Sequence, residues 1–381
     1  MTDPPESRTA LSKARRLIIK IGSRVLVQPS GRPDTRRMKC LVREIAALQR
    51  QGREIIVVSS GAVGAGMEAL GLRHRPTSIP DLQMAAAVGQ SRLMATYDRL
   101  FSAEKCRVAQ VLLTHDDLKH RERHLNARNA ILNLLRHGMI PVVNENDVVA
   151  TEEIKFGDND TLAALVAALV PTDLLVLLTT TDGLRDRSGP GRIKRVATIE
   201  KITPEILALA DDTRGDFSTG GMAAKLEAAR TAVDVGVPVV IANGRREKVL
   251  AGILEGRDVG TLCLAPRSAA GSTLRGRKRW IAFFHKAQGT LVIDDGARNA
   301  LQKLGKSLLP IGITRVEGQF NIGALVNVND RHGAPVARGL VDYGSDNIRK
   351  IHGLKTSEIA GILGTKDFDA VIHRDNMVLF E

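Results

Sequence analysis

Short apolar runs alternate with longer segments of helical spacing over the first 270 residues of the chain. The runs are almost continuously apolar, which is typical of strands in a parallel sheet that is covered on both faces. The segments between them repeat apolar residues every three or four positions, as amphipathic helices do. The alternation predicts an α/β domain with a mostly parallel sheet sandwiched by helices. The predicted strands are residues 16–22, 54–58, 108–113, 139–143, 173–178, 237–242 and 260–264, and the predicted helices are residues 34–51, 81–101, 122–136, 161–170 and 226–235.

The pattern changes near residue 276. Seven of the eleven aromatic residues fall in the last 105 positions, where short apolar runs alternate with Gly- and Asn-rich turns. This predicts a second, small β-rich domain of barrel-like form. A Gly-, Ser- and Arg-rich segment before it is typical of a linker. We therefore expect an α/β domain over residues 1–270, a linker over 271–284 and the β-rich domain over 285–381. A polar segment over residues 185–195 is interpreted as a surface hairpin or loop.

Two polar clusters follow the predicted strand 139–143. Asn144 to Asp147 come directly behind it, and Asp158, Asn159 and Asp160 open the next predicted helix. Ligands of open parallel sheets bind at the carboxyl ends of the strands. The clusters could hold the ammonium and carboxylate groups of an amino acid. The alternative is a turn at the asparagines and a helix cap at Asp158.

Two lysines and one segment of small residues after a predicted strand suggest an anion site. Lys20 lies inside an apolar strand, which is costly unless its ammonium meets an anion or reaches water. The small residues from Ser59 to Gly66 allow backbone N–H groups to approach a carboxylate or phosphate. Their spacing differs from the dinucleotide fingerprint, so NAD is not implied. Lys225 follows a pair of glycines and opposes the helix dipole, a cost that makes sense if it shares a phosphate with the helix N-terminus. An exposed lysine is the alternative.

Charge and cysteine usage narrow the class of protein. Residues 1–276 hold 40 Lys+Arg and 31 Asp+Glu, giving +9, and residues 277–381 hold 15 and 11, giving +4. Neither part is a dedicated basic module, so an anionic substrate, phosphates or weak RNA contact each remain open. Three scattered cysteines indicate free thiols in a reducing compartment. The apolar runs are too short for a membrane span, and no signal-peptide core precedes them, so we expect a cytoplasmic protein.

Five motifs, in this order, resemble the amino acid kinase family: Lys20-Ile-Gly-Ser, Val58-Ser-Ser-Gly-Ala, Asn144-Glu-Asn-Asp, Phe156-Gly-Asp-Asn-Asp and Thr219-Gly-Gly-Met-Ala-Ala-Lys. More narrowly, they are similar to the members that phosphorylate the γ-carboxylate of glutamate at the start of proline synthesis. The C-terminal part resembles the PUA domain, an RNA-binding type of fold. The resemblance covers nearly the whole chain.

The resemblance implies a role for each matching residue. Lys20 and Lys225 would stabilise the transferring phosphoryl group, and Asp160 would orient them. Thr180 stands where the family pattern has a carboxylate. The implied glutamate-binding residues are Ser60, Asp147 and Asn159; the implied ATP-binding residues are Lys20, Thr179, Thr180, Thr219, Gly220, Gly221, Met222 and Lys225; Mg²⁺ is implied as a cofactor of ATP without assigned ligands.

The resemblance also implies partners. L-glutamate would be the substrate, proline a feedback inhibitor, and the assembly a homo-oligomer (a dimer or tetramer). The product would be a hydrolysis-prone acyl phosphate, so transfer to glutamate-5-semialdehyde dehydrogenase (γ-glutamyl phosphate reductase) is a hypothesis. Two other functions stay open. One is another kinase of this family acting on aspartate, acetylglutamate or a nucleotide, and the other is an RNA-binding or RNA-modifying protein led by the C-terminal domain.

Overall fold

The computed structural model describes residues 6–28, 34–119, 121–150, 159–186, 193–211, 221–265, 287–365 and 368–380. The chain divides into two compact units, Met1–Thr273 and Leu274–Glu381. The predicted linker, residues 271–284, lies outside the described residues, so the exact domain limits stay a prediction.

The first unit is built on an eight-stranded sheet with the order β3-β4-β2-β1-β5-β9-β10-β8. The six strands from β3 to β9 run parallel, whereas β10 pairs antiparallel with β9 and parallel with β8. The predicted α/β fold with a mostly parallel sheet is confirmed. The strands are β1 Arg16–Ile21, β2 Glu54–Ser59, β3 Arg107–Leu113, β4 Met139–Glu145, β5 Leu174–Thr179, β6 Arg185–Asp186, β7 Lys194–Arg195, β8 Thr198–Ile199, β9 Val239–Asn243 and β10 Thr261–Cys263.

Helices surround this sheet, and local capping sets the start of several. The Asp34 carboxylate accepts a hydrogen bond from Arg37 N, and the Ser78 hydroxyl accepts one from Asp81 N. Strands β6 and β7 pair antiparallel, as the predicted surface hairpin requires. The helices are α1 Glu6–Thr9, α2 Ser23–Leu26, α3 Thr35–Arg50, α4 Ala62–Ala69, α5 Ile79–Ala103, α6 His115–Lys119, α7 Arg121–Arg136, α8 Asn159–Leu169, α9 Pro204–Asp211, α10 Met222–Asp234 and α11 Val249–Leu254, with a 3₁₀ turn at Ala10–Lys13.

The register of the parallel strands brings their carboxyl ends to one edge. Ile21 of β1 pairs with Ser59 of β2 and with Leu178 of β5. Val143 of β4 pairs with Val58 of β2, so the last residues of β2 and β4 lie side by side. Polar residues that are far apart in the sequence therefore meet at this edge, above a core of aliphatic side chains.

Helices α4 and α5 pack in backbone contact through two glycines. A Cβ atom on Gly66 would lie 1.7 Å from the Ala85 carbonyl oxygen, and one on Gly89 would lie 1.8 Å from the Ala62 carbonyl oxygen. No side chain fits at either position. The small residues of the segment 85–89 therefore serve close packing of the two helices.

Gly89→Ala should destabilise the protein strongly. The added Cβ would meet backbone atoms, which cannot move aside as a flexible side chain can, so we expect a loss of about 3 kcal/mol of unfolding free energy. Urea unfolding measures it. Gly64→Ala is the matched control, because a Cβ at this position of α4 meets nothing within 4 Å, and alanine favours the helix by up to about 1 kcal/mol. Equal stability of the two variants would contradict the packing argument.

The second unit holds a five-stranded sheet with the order β12-β11-β13-β14-β15. Its strands pair antiparallel except β11 with β13. Phe320, Tyr343 and aliphatic side chains fill its own core. The predicted small β-rich domain is thus confirmed. Its elements are β11 Gly289–Ile293, α12 Asp295–Leu304, β12 Ile313–Gly318, β13 Leu325–Asn329, β14 Pro335–Leu340, α13 Ser345–Ile351, α14 Ile359–Leu363 and β15 Met377–Leu379, with 3₁₀ turns at Pro310–Gly312, Thr356–Glu358 and Arg374–Asn376.

Throughout the described ranges of both units, no helix combines the length and apolar character needed to cross a membrane.

Candidate functional site

A buried carboxylate bridges two buried lysines at the carboxyl edge of the sheet. Asp160, the second residue of α8, is fully buried, and its Oδ1 lies 2.6 Å from Lys20 Nζ. Its Oδ2 lies 3.0 Å from Lys225 Nζ of α10. Both lysine side chains are less than a tenth exposed. Two ammonium groups thus meet at one point of the site, an arrangement suited to binding an anion such as a phosphate.

Backbone N–H groups lie beside this cluster at the start of α10. The N-cap of α10 is Gly221. Among the described residues, no side chain caps the helix, and a Cβ at Gly221 would meet no atom within 4 Å. The N-terminal N–H groups of a helix favour negative charge. Thr219 and Gly220, two of the implied ATP-binding residues, lie outside the described residues. Met222 opens the helix, one turn before Lys225.

The ends of β5 and β9 lie next to each other on the same edge. Thr179 closes β5, and its carbonyl oxygen accepts a hydrogen bond of 2.7 Å from Gly244 N. Thr180 follows, half-buried like Thr179. The Asn243 side chain at the end of β9 accepts a hydrogen bond of 2.9 Å from Arg245 N. Asn243 and Gly244 were not predicted as site residues, although their place behind an apolar strand is the signal that identified the other polar clusters.

A chain of amide hydrogen bonds lies on the other side of Asp160. Asn159 Nδ2 donates to the Ser59 carbonyl oxygen at 2.7 Å, to Asn144 Oδ1 at 2.8 Å and to Ser60 Oγ at 3.2 Å. Asn144 Nδ2 in turn donates to Gln90 Oε1 at 2.6 Å. Buried amides with mutual hydrogen bonds are held in one orientation, so this network presents a fixed polar surface.

Tyr97 joins this network through a hydrogen bond with Ser59. Its hydroxyl lies 2.7 Å from Ser59 Oγ, and its side chain is fully buried against Phe101. Burial raises the pKa of Tyr97 to about 12, so the phenol stays protonated near neutral pH. The hydroxyl can therefore serve as a permanent donor or acceptor for Ser59.

Two carboxylates follow at the end of β4. Glu145 is buried, with Oε1 3.8 Å from His115 Nδ1, and its Oε2 has no hydrogen-bond partner among the residues that the structure describes. Asp147 is half-buried in the turn that follows. Burial first, and then the charge of Glu145, raise the pKa of Asp147 to about 6, against a smaller opposite effect of Arg75. The Asp147 carboxyl thus gains or loses its charge close to neutral pH.

The structure corrects two boundaries at this site. Asn144 and Glu145 are the last residues of β4, not parts of a loop, because they pair with Leu112 and Leu113 of β3 and are buried. Helix α8 begins at Asn159, two residues before the predicted start, because Asn159 and Asp160 are buried in its first turn. The Asn146 carbonyl accepts from the N–H groups of residues 149 and 150, so the turn interpretation holds there.

The sequence reasoning missed Gln90 and Tyr97, which join the amide network. Ser59 and Glu145 lay within predicted polar or small-residue segments, but neither was given a role of its own. Gln90 offered a signal, since it is a long polar side chain directly after a run of small residues. Tyr97 offered none, because an apolar helix face carries aromatic residues for packing alone.

Comparison with known proteins agrees with these features. The model of the amino acid kinase family matches residues 15–243, and that of the PUA domain matches residues 289–363. The glutamate 5-kinase of Moorella thermoacetica is 48% identical over 98% of this chain and 98% of its own length. The glutamate 5-kinases of Citrifermentans bemidjiense and Geobacter sulfurreducens are each 47% identical over 97% of this chain and 98% of their own length. The chain therefore belongs to the amino acid kinase family, in the group of these glutamate 5-kinases.

Proposed function

We propose that this protein is an ATP-dependent carboxylate kinase that phosphorylates the γ-carboxylate of L-glutamate, the first step of proline biosynthesis. The observation that carries the proposal is the pair of buried lysines held by Asp160 at 2.6 and 3.0 Å, next to a surface of oriented amides. The two features suit a transferring phosphoryl group and a zwitterionic acceptor, respectively. The relatives named above carry the same activity in their names.

The reaction mainly requires that the protein aligns the two substrates and places positive charge at the transferring phosphoryl group. The attacking γ-carboxylate is already ionised near neutral pH, so no general base is needed. Phosphoryl transfer then depends on in-line positioning and on cations at the equatorial oxygens. Lys20 and Lys225 supply these cations, one from a central strand and one from α10. Asp160 fixes both ammonium groups before the substrates arrive, which removes the cost of organising them during the reaction.

The residues at the nucleotide side fit ATP. The start of α10 at Gly221 and Met222, together with both lysines, would hold the phosphates. Thr179 and Thr180 would line the nucleotide at the end of β5. The described residues contain no group of three side chains able to hold a metal ion by themselves. Mg²⁺ would be bound largely through the nucleotide phosphates, where it neutralises their charge.

The acceptor side would hold glutamate through Ser60, Asp147 and Asn159. Asn159 directs its Nδ2 into the protein, so its Oδ1 is the atom left for a ligand, and it can accept from an ammonium group. The Asp147 carboxylate offers a second acceptor with full charge above its pKa of about 6. Ser60 Oγ accepts from Asn159, which leaves its proton for a carboxylate.

Asp147→Ala should raise the KM for glutamate by about 10-fold or more and change the KM for ATP little, because a charge-assisted hydrogen bond is worth about 1.5–3 kcal/mol. In the parent protein the KM for glutamate should also rise as pH falls through about 6, since protonation of Asp147 removes the charge that binds ammonium. Steady-state kinetics between pH 5 and 8 measure both. Asp147→Asn is the control that should abolish this pH dependence. An effect confined to the KM for ATP would exclude the assignment.

One assay tests the proposed function as a whole. Purified protein, ATP, Mg²⁺ and glutamate should release ADP and, with hydroxylamine present, form the γ-glutamyl hydroxamate, because the acyl phosphate is trapped as it forms. Aspartate, acetylglutamate and a nucleotide acceptor should give little product. ADP release that is independent of glutamate would reject the proposal, and a faster rate with another acceptor would reassign the substrate.

Several wider assignments follow from the same family membership and are proposed with it. Proline should inhibit the assay above, the acyl phosphate should pass to γ-glutamyl phosphate reductase, and the chain should form a homo-oligomer in the cytoplasm. The near-even spread of positive charge gives no support to RNA as a partner of the C-terminal domain. Salt-sensitive, specific RNA binding without glutamate-dependent turnover would instead favour an RNA-binding function over the kinase function.

A further inference from the structure

We propose that Gln90 determines acceptor specificity by donating a hydrogen bond from Nε2 to the α-carboxylate of the amino acid substrate. This inference rests on the proposed function and adds a residue to it. Its basis is the direction of the hydrogen bonds in the amide network, which leaves Gln90 with one possible orientation.

The direction is fixed by a backbone carbonyl group. The Ser59 carbonyl oxygen can only accept, so the Asn159 side-chain atom that lies 2.7 Å from it must be the donor Nδ2. The same Nδ2 meets the Asn144 side chain at 2.8 Å, so that atom must be the acceptor Oδ1. Asn144 therefore turns its Nδ2 toward Gln90, and the Gln90 atom at 2.6 Å must be Oε1.

The Nε2 group of Gln90 is consequently turned away from the network. Within the part of the chain that the structure describes, no atom accepts a hydrogen bond from it. Gln90 is half-buried, and the residue before it, Gly89, lies in backbone contact with Ala62. That contact fixes the turn of α5 that carries Gln90. A rigidly placed donor with two unused protons is suited to a carboxylate.

The position of Gln90 in the amide network indicates which carboxylate of the substrate it would bind. Asn159 is adjacent in sequence to Asp160, which holds both lysines, whereas Gln90 is separated from Asn159 by Asn144. The γ-carboxylate must lie at the lysines to attack the phosphoryl group. The carboxylate that reaches Gln90 is then the α-carboxylate, at the far end of the acceptor. The ammonium between them meets acceptor atoms, namely Asn159 Oδ1 and the Asp147 carboxylate.

The variant Gln90→Glu separates this role from a structural one. It keeps the side-chain length and an acceptor oxygen toward Asn144, and it replaces the amide donor by a negative charge. The two substrates to compare are glutamate and isoglutamine. Isoglutamine has a neutral α-carboxamide and the same γ-carboxylate. We expect the ratio of kcat/KM for glutamate to that for isoglutamine to fall by about 100-fold, mainly through KM, because the new charge repels the α-carboxylate and accepts from the carboxamide.

Two further variants complete the test. Gln90→Met removes donor and acceptor together and should lower the ratio by about 10-fold. Ser91→Ala, at the exposed neighbouring position of α5, should leave it unchanged. The ratio compares two acceptors on one preparation, so partial unfolding of a variant does not alter it. A parent-like ratio in Gln90→Glu would overturn the inference. Absence of glutamate-dependent hydroxamate in the parent protein would instead overturn the proposed function.

Discussion

Lys20→Ala and Lys225→Ala are each expected to lower kcat by about 100-fold or more, the range for losing one preorganised charge partner of a transition state. Each lysine is buried beside Asp160, which holds its ammonium group in place before the substrates bind. The charge that spreads over the equatorial oxygens during transfer is then stabilised by one ammonium in place of two. The hydroxamate assay at saturating glutamate and ATP measures the loss.

A matched control distinguishes this effect from a general change of charge. Lys39 lies exposed on α3, and Lys39→Ala should keep kcat within about 2-fold of the parent value, because exposed substitutions rarely disturb a distant site. Near-normal kcat in either buried-lysine variant would remove that lysine from the reaction. A rise in the KM for ATP alone would assign it to nucleotide binding.

Asp160→Asn is expected to reduce both stability and activity. The amide keeps the shape of the side chain but removes the buried carboxylate that bridges two buried ammonium groups, which should cost about 3–5 kcal/mol of unfolding free energy. kcat should fall with it, since the lysines are no longer held in place. Urea unfolding and the hydroxamate assay measure the two effects. Asp98→Asn, an exposed acid on α5, is the control.

A double variant tests the cause of that instability. Adding Lys225→Met to Asp160→Asn removes one of the two ammonium groups that the carboxylate bridged, so stability should return in part while activity stays low. ATP should also stabilise Asp160→Asn more than it stabilises the parent protein, because the phosphates replace the missing negative charge. Equal stability of Asp160→Asn and the parent protein would show that the ion bridge is not held as the structure has it.

The elements that the sequence predicted well are those with an uninterrupted local pattern. Strands β1 and β4 come from continuous apolar runs, and α3 comes from regular helical spacing. Helix α4 was missed, because its sequence contains two glycines and has only a weak apolar periodicity. Strands β8 and β15 are two and three residues long, too short for a period to be recognised.

The candidate site also contains residues that the sequence could identify and relations between residues that it could not. Lys20 could be singled out because an ammonium in an apolar strand needs an anion, and Asp160 because polar clusters behind strands are uncommon without a ligand. That both lysines share this one carboxylate could not be derived from spacing, since the three residues lie on three elements that meet only in the folded sheet. Gln90 is a further example, because its role depends on hydrogen bonds that start at Ser59.

By itself the sequence determined the alternating strands and helices, the separate β-rich unit and the order of motifs that marks the amino acid kinase family. Those properties depend on hydrophobic periodicity and residue type, which are local. Only the tertiary structure decided the backbone contact at Gly89, the raised pKa of Asp147 and the direction of every amide in the acceptor surface. Burial and hydrogen-bond direction are set by neighbours from distant parts of the chain, and these come together only when the sheet aligns its strand ends at one edge.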